Sequence, residues 1–165
     1  MTNEASQTQS DGVAGDPVLL RVHEVYRSIP IYDLSFVRPV AYDEPTLQSE
    51  LAAVGGIPEA RFALLINCEN LSLAGVFPVE AQTEAIQSPL VQVLRQRTVA
   101  VARYNPGSLT SMIRTMTLHI YSRRGISSGF AAGFESALRS VRREIDLLLE
   151  RESAGQASST PALQS

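Results

Sequence analysis

The sequence predicts a single α/β domain built on a mixed sheet, and three observations predict it. Two apolar runs of strand type, Val18 to Val25 and Ile29 to Val40, stand close together near the start. Arg61 to Asn67 (RFALLIN) and Thr98 to Ala102 (TVAVA) are continuously apolar, the pattern of strands covered on both faces in a parallel sheet. Segments with helical spacing follow each of these later runs, and right-handed crossovers between them lay the strands parallel with helices packed on the sheet.

Taken in order, the first two runs form an antiparallel hairpin with its turn at Arg27-Ser28. Pro30 and Pro39 each remove a ladder donor, so the second run is expected at an edge or interrupted. After Asp43-Glu44-Pro45, Leu47, Leu51 and Val54 recur at helical intervals before Gly55-Gly56, which reads as a short amphipathic helix. RFALLIN is then the central strand. A helical stretch begins near Val79, and Ser88-Pro89 restarts it as an N-cap followed by proline at the first helical position, carrying Leu90, Val93 and Leu94. TVAVA is the next buried strand. A turn through Asn105-Pro106-Gly107-Ser108 leads to a helix bearing Leu109, Met112, Ile113 and Met116, and Leu118 to Tyr121 is a brief strand. From Ser127 a last helix sets Phe130, Phe134, Leu138, Val141, Ile145 and Leu148 on one stripe.

Composition bounds the function. At 165 residues, with 44% apolar and 19% charged residues, the chain has the size and balance of one globular domain. Residues 1–16 and 152–165 are rich in Ser, Thr, Gln, Ala and Gly and read as disordered tails around a domain at 17–151. The single thiol, Cys68, leaves no intramolecular disulfide framework. No run approaches the roughly eighteen apolar residues that cross a bilayer, and the first sixteen residues lack a signal-peptide pattern, so cytoplasmic residence is expected. A net charge of -3 gives no global reason to hold nucleic acid, and the pairs Arg123-Arg124 and Arg142-Arg143 are too short for such a footprint. All fourteen basic residues are arginine, which fits either genomic composition bias or a premium on bidentate recognition of carboxylate and phosphate.

Groups that could converge on chemistry are few. His23 and His119 stand apart from other ligand-type residues, so neither a metal nor a cofactor is implied. Cys68 follows a buried strand and reads as a small, partly buried apolar residue rather than a reactive thiolate. Gly55-Gly56, Ala74-Gly75 and Pro106-Gly107 match no phosphate-binding loop. Arg103, Asn105, Gly107 and Ser108 are the candidate anion site, because free N–H groups and a helix dipole meet there; the plain alternative is a strand-to-helix turn capped by Ser108. On the last helix Leu147, Leu148 and Leu149 run consecutively, so Leu147 or Leu149 must leave the core stripe. Arg139, Arg142 and Arg143 with Glu135 and Glu144 read as a solvated charged face.

The stretch TVAVARYNPGSLTSMIRTMTLHIYSRRGISSGFAAGFESAL resembles the closing pattern of the STAS domain family, which includes anti-sigma-factor antagonists and cytosolic portions of sulfate transporters. The likeness in element order runs from about Val18 to Ile145. It implies a STAS-like sheet with helices mainly on one face, and a role as a partner of a regulatory kinase or part of a larger signalling assembly. That family carries an Asp followed by a phosphorylatable Ser or Thr after the central strand. In FALLINCENLSLAGVFPVEA, Gly75, Val76 and Phe77 stand there and Ser72 is the nearest hydroxyl, so no regulatory serine is carried over.

The expectation is therefore a non-enzymatic protein-interaction module of a bacterial regulatory or scaffold assembly, whose partner is another protein or a second copy. Ser72, Leu73, Val76, Phe77, Leu147 and Leu149 are its candidate contact residues. A small-ligand or anion-sensing domain and an enzyme using Cys68 are the rivals.

Overall fold

The computed structural model describes residues 15–72, 84, 87–105 and 128–159. Two antiparallel strands open it, β1 (Val18–Tyr26) and β2 (Ile29–Phe36), joined by Arg27 and Ser28 at φ 48° and 68°. Two consecutive residues at positive φ make the primed hairpin turn whose twist matches that of the flanking strands. A short β3 (Val40–Ala41) follows, so the second apolar run is interrupted at Val37 to Pro39. Its expected place at an edge is not what forms. β2 lies inside the sheet, and its ladder with the next strand begins only at Ile31, so Pro30 owes that neighbour no donor.

Helix α1 (Glu44–Gly55) starts on an Asp43 cap whose carboxylate accepts from the Thr46 amide at 3.0 Å. β4 (Phe62–Asn67) and β5 (Leu71–Ser72) follow. Helix α2 (Pro89–Arg97) opens as expected on Ser88, whose Oγ accepts from the Val91 amide at 3.3 Å, with Pro89 in the first turn. β6 (Thr98–Tyr104) continues directly from α2. Arg97 makes this abrupt junction possible: its Nη2 donates to the carbonyls of Ile57 and Glu59, and its guanidinium lies 5.3 Å from the Phe62 ring centroid.

Two expectations are corrected near the end. The helix expected from Ser127 does not run through the described residues that follow it; β7 (Ser128–Ala131) occupies that stretch, and α3 (Phe134–Ser158) begins after Gly133. Phe130 therefore belongs to a strand and not to the helical stripe. α3 also runs on through Ser158, into the stretch expected to be disordered from 152, with those turns exposed. The helix expected from Leu109 to Met116 and the strand at Leu118 to Tyr121 lie outside the described residues, as does the start of the stretch near Val79.

The main sheet has the order β1-β2-β4-β6-β7, antiparallel only at β1–β2, and β3 pairs parallel with β5 in a second small sheet. Connections from β2 to β4 and from β4 to β6 step the same way along the sheet. Connections of one hand then put their helices on one face, and α1 and α2 do share one. There Leu47, Leu51, Val54, Val91 and Leu94 pack on Tyr32, Leu34, Phe36, Phe62, Leu64, Ile66 and Val101. Against the opposite face α3 sets Ala137, Leu138, Val141 and Ile145 on Ile31, Ala63, Leu65, Ala100 and Ala102. The expected weighting to one face thus holds by number of described helices, and among them α3 packs on the other.

Polar contacts fix α3 at the hairpin end. Arg142 Nε and Nη2 donate to Glu24 at 2.7 and 2.6 Å, Tyr26 Oη donates to Asp146 at 3.0 Å, and Arg27 Nη1 reaches Asp146 at 2.6 Å. Arg142, read as part of a merely solvated face, is thus a clamp across β1. Because Ser28 holds a left-handed conformation that disfavours a side chain, Ser28→Gly should stabilise the fold by about 0.5–1 kcal/mol after the glycine's extra unfolded-state entropy. Thermal unfolding should register a rise of about 1–4 °C; an unchanged or lower melting temperature contradicts this account of the turn.

Candidate functional site

β4 and β6 supply a largely apolar wall in which Arg103 is the buried charge. Arg103 shares the α1 face with Val101 and sits opposite Ile66 in the ladder, inside the sheet. Its Nη1 and Nη2 donate to the two carboxylate oxygens of Glu50 at 3.1 and 3.4 Å, and these side chains are 2% and 0% exposed. Glu50 reaches this place because Leu47, Glu50, Leu51 and Val54 all fall on the buried face of α1. Tyr42 Oη donates to Glu50 Oε2 at 3.3 Å, and the Arg103 guanidinium lies 5.9 Å from the Tyr42 ring centroid. Burial, with the nearby Glu50 charge, pushes the Tyr42 phenol well above its ordinary range.

Cys68 closes this centre from the end of β4. Its side chain is fully buried, Sγ donates weakly to the Ile66 carbonyl at 3.7 Å, and its amide donates to the Tyr104 carbonyl at 2.9 Å. Burial raises the thiol pKa, with Arg103 opposing and Glu50 reinforcing that shift. A raised pKa lowers the thiolate fraction and with it nucleophilicity. The expected structural reading of Cys68 matches this environment.

A second polar group lies on the α3 face. Tyr104 Oη donates to Asp33 Oδ1 at 3.1 Å, and the Phe134 ring meets both Tyr104, at 5.6 Å between centroids, and His23, at 4.8 Å, edge to face. Partial burial raises the Asp33 pKa against the pull of the Tyr104 hydroxyl, His23 and Arg21. Tyr104 is raised in turn, first by burial and then by Asp33. On the α1 face Tyr32 donates to Glu59 at 2.6 Å, and burial with that contact pushes its phenol up to about 12. Among the described residues no cluster of His, Cys, Asp or Glu has the make-up to hold a metal ion.

No protein-family model, curated protein or solved structure matches this chain. The site is therefore read from its own geometry. Arg103 stands in a strand rather than at the loop start expected for it, and its donors point at Glu50. Asn105 is buried directly after β6, and Gly107 and Ser108 lie outside the described residues. Of the candidate contact residues, Ser72 is exposed and its Oγ donates to the Val40 carbonyl at 3.3 Å. Leu73, Val76 and Phe77 lie outside the described residues. Leu147 and Leu149 are both half-buried, Leu149 packing on the α3 core, so neither stands free of the fold.

Sequence reading missed both Glu50 and the outward side of α2. The signal for Glu50 was present, since it lies one helical turn from Leu47 on one side and from Val54 on the other, and so shares their face. On α2, Val91 and Leu94 are the buried pair, while Leu90 and Val93 turn out with 43% and 48% exposure. No described helix is long and apolar enough to cross a membrane.

Removing one partner of a buried ion pair strands the other charge, so Arg103→Met or Glu50→Leu alone should cost about 3–5 kcal/mol. The double variant should recover most of that loss, because two apolar groups of similar volume no longer bury an unpaired charge. Urea unfolding of all four proteins measures the coupling, and additive losses contradict it. A separate test concerns Asp33. Its folded pKa lies above the unfolded value, so its contribution is complete below the ordinary 3.8 and is lost as pH rises through the folded value. Asp33→Asn keeps an acceptor for Tyr104 and removes that titration. Its melting temperature relative to wild type should therefore climb as pH rises from acid to neutral; a flat difference contradicts the assignment.

Proposed function

We propose that this chain is a non-enzymatic protein-interaction module of a bacterial regulatory or scaffold assembly, with the STAS-like resemblance of its sequence giving the class of partner. One observation carries the reading. Leu90 and Val93 sit a turn apart on α2, outward and about half exposed, while Val91 and Leu94 on the same helix close the core. Such a helix is apolar on two sides, and aliphatic side chains one turn apart are the anchors that a groove in a partner receives.

The polar centres support the same reading from the other direction. Glu50 and Arg103 engage each other beneath α1, and burial holds the Cys68 thiol protonated. An anion sensor built on Arg103 would first have to open that pair, at a cost of several kcal/mol.

The experiment compares wild type with Leu90→Asp/Val93→Asp as bait after confirming equal melting. The double variant should lose at least about tenfold of the affinity for whatever protein wild type retains, equivalent to about 1.4 kcal/mol. Equal retention by both proteins removes α2 from the interface. Stabilisation of the chain by a nucleotide or lipid, with no protein partner retained, favours the sensing alternative instead.

A further inference from the structure

β1 ends the sheet, so no described strand pairs with its outer side, and it is the longest strand described at nine residues. Long open edges are usually guarded by charge or by a bulge. β1 has a bulge, since its register with β2 shifts between Val22 and Glu24, leaving His23 as the extra residue. That extra residue changes which side chains share a face. Leu20, Val22 and Val25 lie opposite Leu34, Tyr32 and Pro30 and so take the α1 face. Arg21, Glu24 and Tyr26 lie opposite Asp33, Ile31 and Ile29 and so take the α3 face. In an unbulged strand Arg21 and Glu24 would point to opposite faces.

With the bulge, β1 becomes self-complementary about Val22. Turned end for end, a second β1 sets Val22 against Val22, Leu20 against Val25 on the α1 face, and Arg21 against Glu24 on the α3 face. Every opposed pair then agrees in face and in chemistry. Val22 and Val25 are 53% and 66% exposed, the two most open large apolar side chains of the strand. Glu24 holds Arg142 on both of its oxygens and keeps 25% of its side chain exposed, and each carboxylate oxygen can accept from a second cation as well. We propose that β1 pairs antiparallel with β1 of a second copy of this chain, about a two-fold axis at Val22, extending the sheet across both protomers. Isologous pairing of this kind uses each contact twice, and the small area of one strand edge makes the dimer a weak one. It involves a different element from α2 and does not depend on the partner proposed there.

Sedimentation velocity of the full chain over a micromolar concentration series tests it. Wild type should show reversible doubling of mass. Val22→Lys puts two cations at the axis and should weaken association about tenfold or more, and Leu90→Asp should leave it unchanged. Arg21→Glu and Glu24→Arg should each weaken self-association, yet an equimolar mixture of the two should associate, because each interface then holds two opposite-charge pairs. Exposure of Val22 and Arg21 leaves the fold tolerant of changes at those two positions, whereas Glu24→Arg gives up the Arg142 contact, and circular dichroism and melting of each variant alone separate a loss of fold from a loss of association. If Val22→Lys fails to fold, the mixing experiment decides. Wild type that stays monomeric throughout overturns the proposal. So does a dimer that survives Val22→Lys or is abolished by Leu90→Asp, or a mixture that associates no better than its components.

Discussion

A strand with helices packed on both of its faces has no solvent side on which to put a polar residue, and β4 and β6 are both in that position. Their side chains must be apolar or be matched inside the protein. From Phe62 to Ile66 and from Val99 to Ala102 the first solution is used throughout. Thr98, Arg103 and Tyr104 use the second, and at Arg103, the one charge among them, the match dictates more than one contact. Glu50 must lie on the inward face of α1, α1 must sit over the end of β6, and Tyr42 must come in ahead of the helix to donate to the same carboxylate. The small β3–β5 sheet holds that approach, with the Tyr42 amide donating to the Ser72 carbonyl at 2.9 Å and Asn70 Nδ2 to the Phe36 carbonyl at 2.6 Å.

The absence of lysine acquires a physical meaning in this setting. Arg103 meets both oxygens of Glu50, Arg142 both oxygens of Glu24, and Arg97 two loop carbonyls together with an aromatic face. An ammonium presents a point charge and would make one of each pair of contacts well. Exposed pairs such as Arg27–Asp146 add little to stability, being solvated and screened. Their weight is positional: Glu24, Tyr26 and Arg27 on the hairpin fix where Arg142 and Asp146, one turn apart on α3, must lie. The apolar stripe of α3 sets its depth on the sheet, and these contacts set its rotation and its reach.

The parts of the fold legible in the sequence were those where one local signal had one meaning. The hairpin turn, the start of α1 after Asp43-Glu44-Pro45, the Ser88 cap and the apolar runs of β4 and β6 were of that sort. β7 was not, because Ser-Gly-Phe-Ala between glycines is as compatible with a helix start as with a short strand, and only the ladder with Val101 to Tyr104 decides it. The turns of α3 beyond residue 151 were hidden for a related reason: Glu152 to Ser158 carry no apolar period, and helix continues there as an exposed extension. Arg103 was misread because it precedes Tyr-Asn-Pro-Gly, a loop signal strong enough to draw the strand's last two residues into it. The outward turn of Leu90 and Val93 was missed since Leu90, Val91, Val93 and Leu94 offer two helical stripes of equal merit, and composition does not choose between them.

What the architecture permits follows from the order of its strands. Ligand crevices in open α/β sheets form where neighbouring connections leave in opposite directions. Here β2, β4 and β6 follow one another without reversal, and the helices between them share a face, so the described strands contain no such switch point. The carboxyl ends that would rim a crevice are instead tied together, β4 to β6 through the Cys68 amide and β2 to the β4–β5 turn through Asn70. Tyr42, Glu50 and Arg103 are turned inward against each other. Among the described residues the exposed large apolar side chains stand on the outer row of α2, on β1 and at Val37. The row on α2 and the edge of β1 are elongated rather than concave, a geometry that another chain can cover.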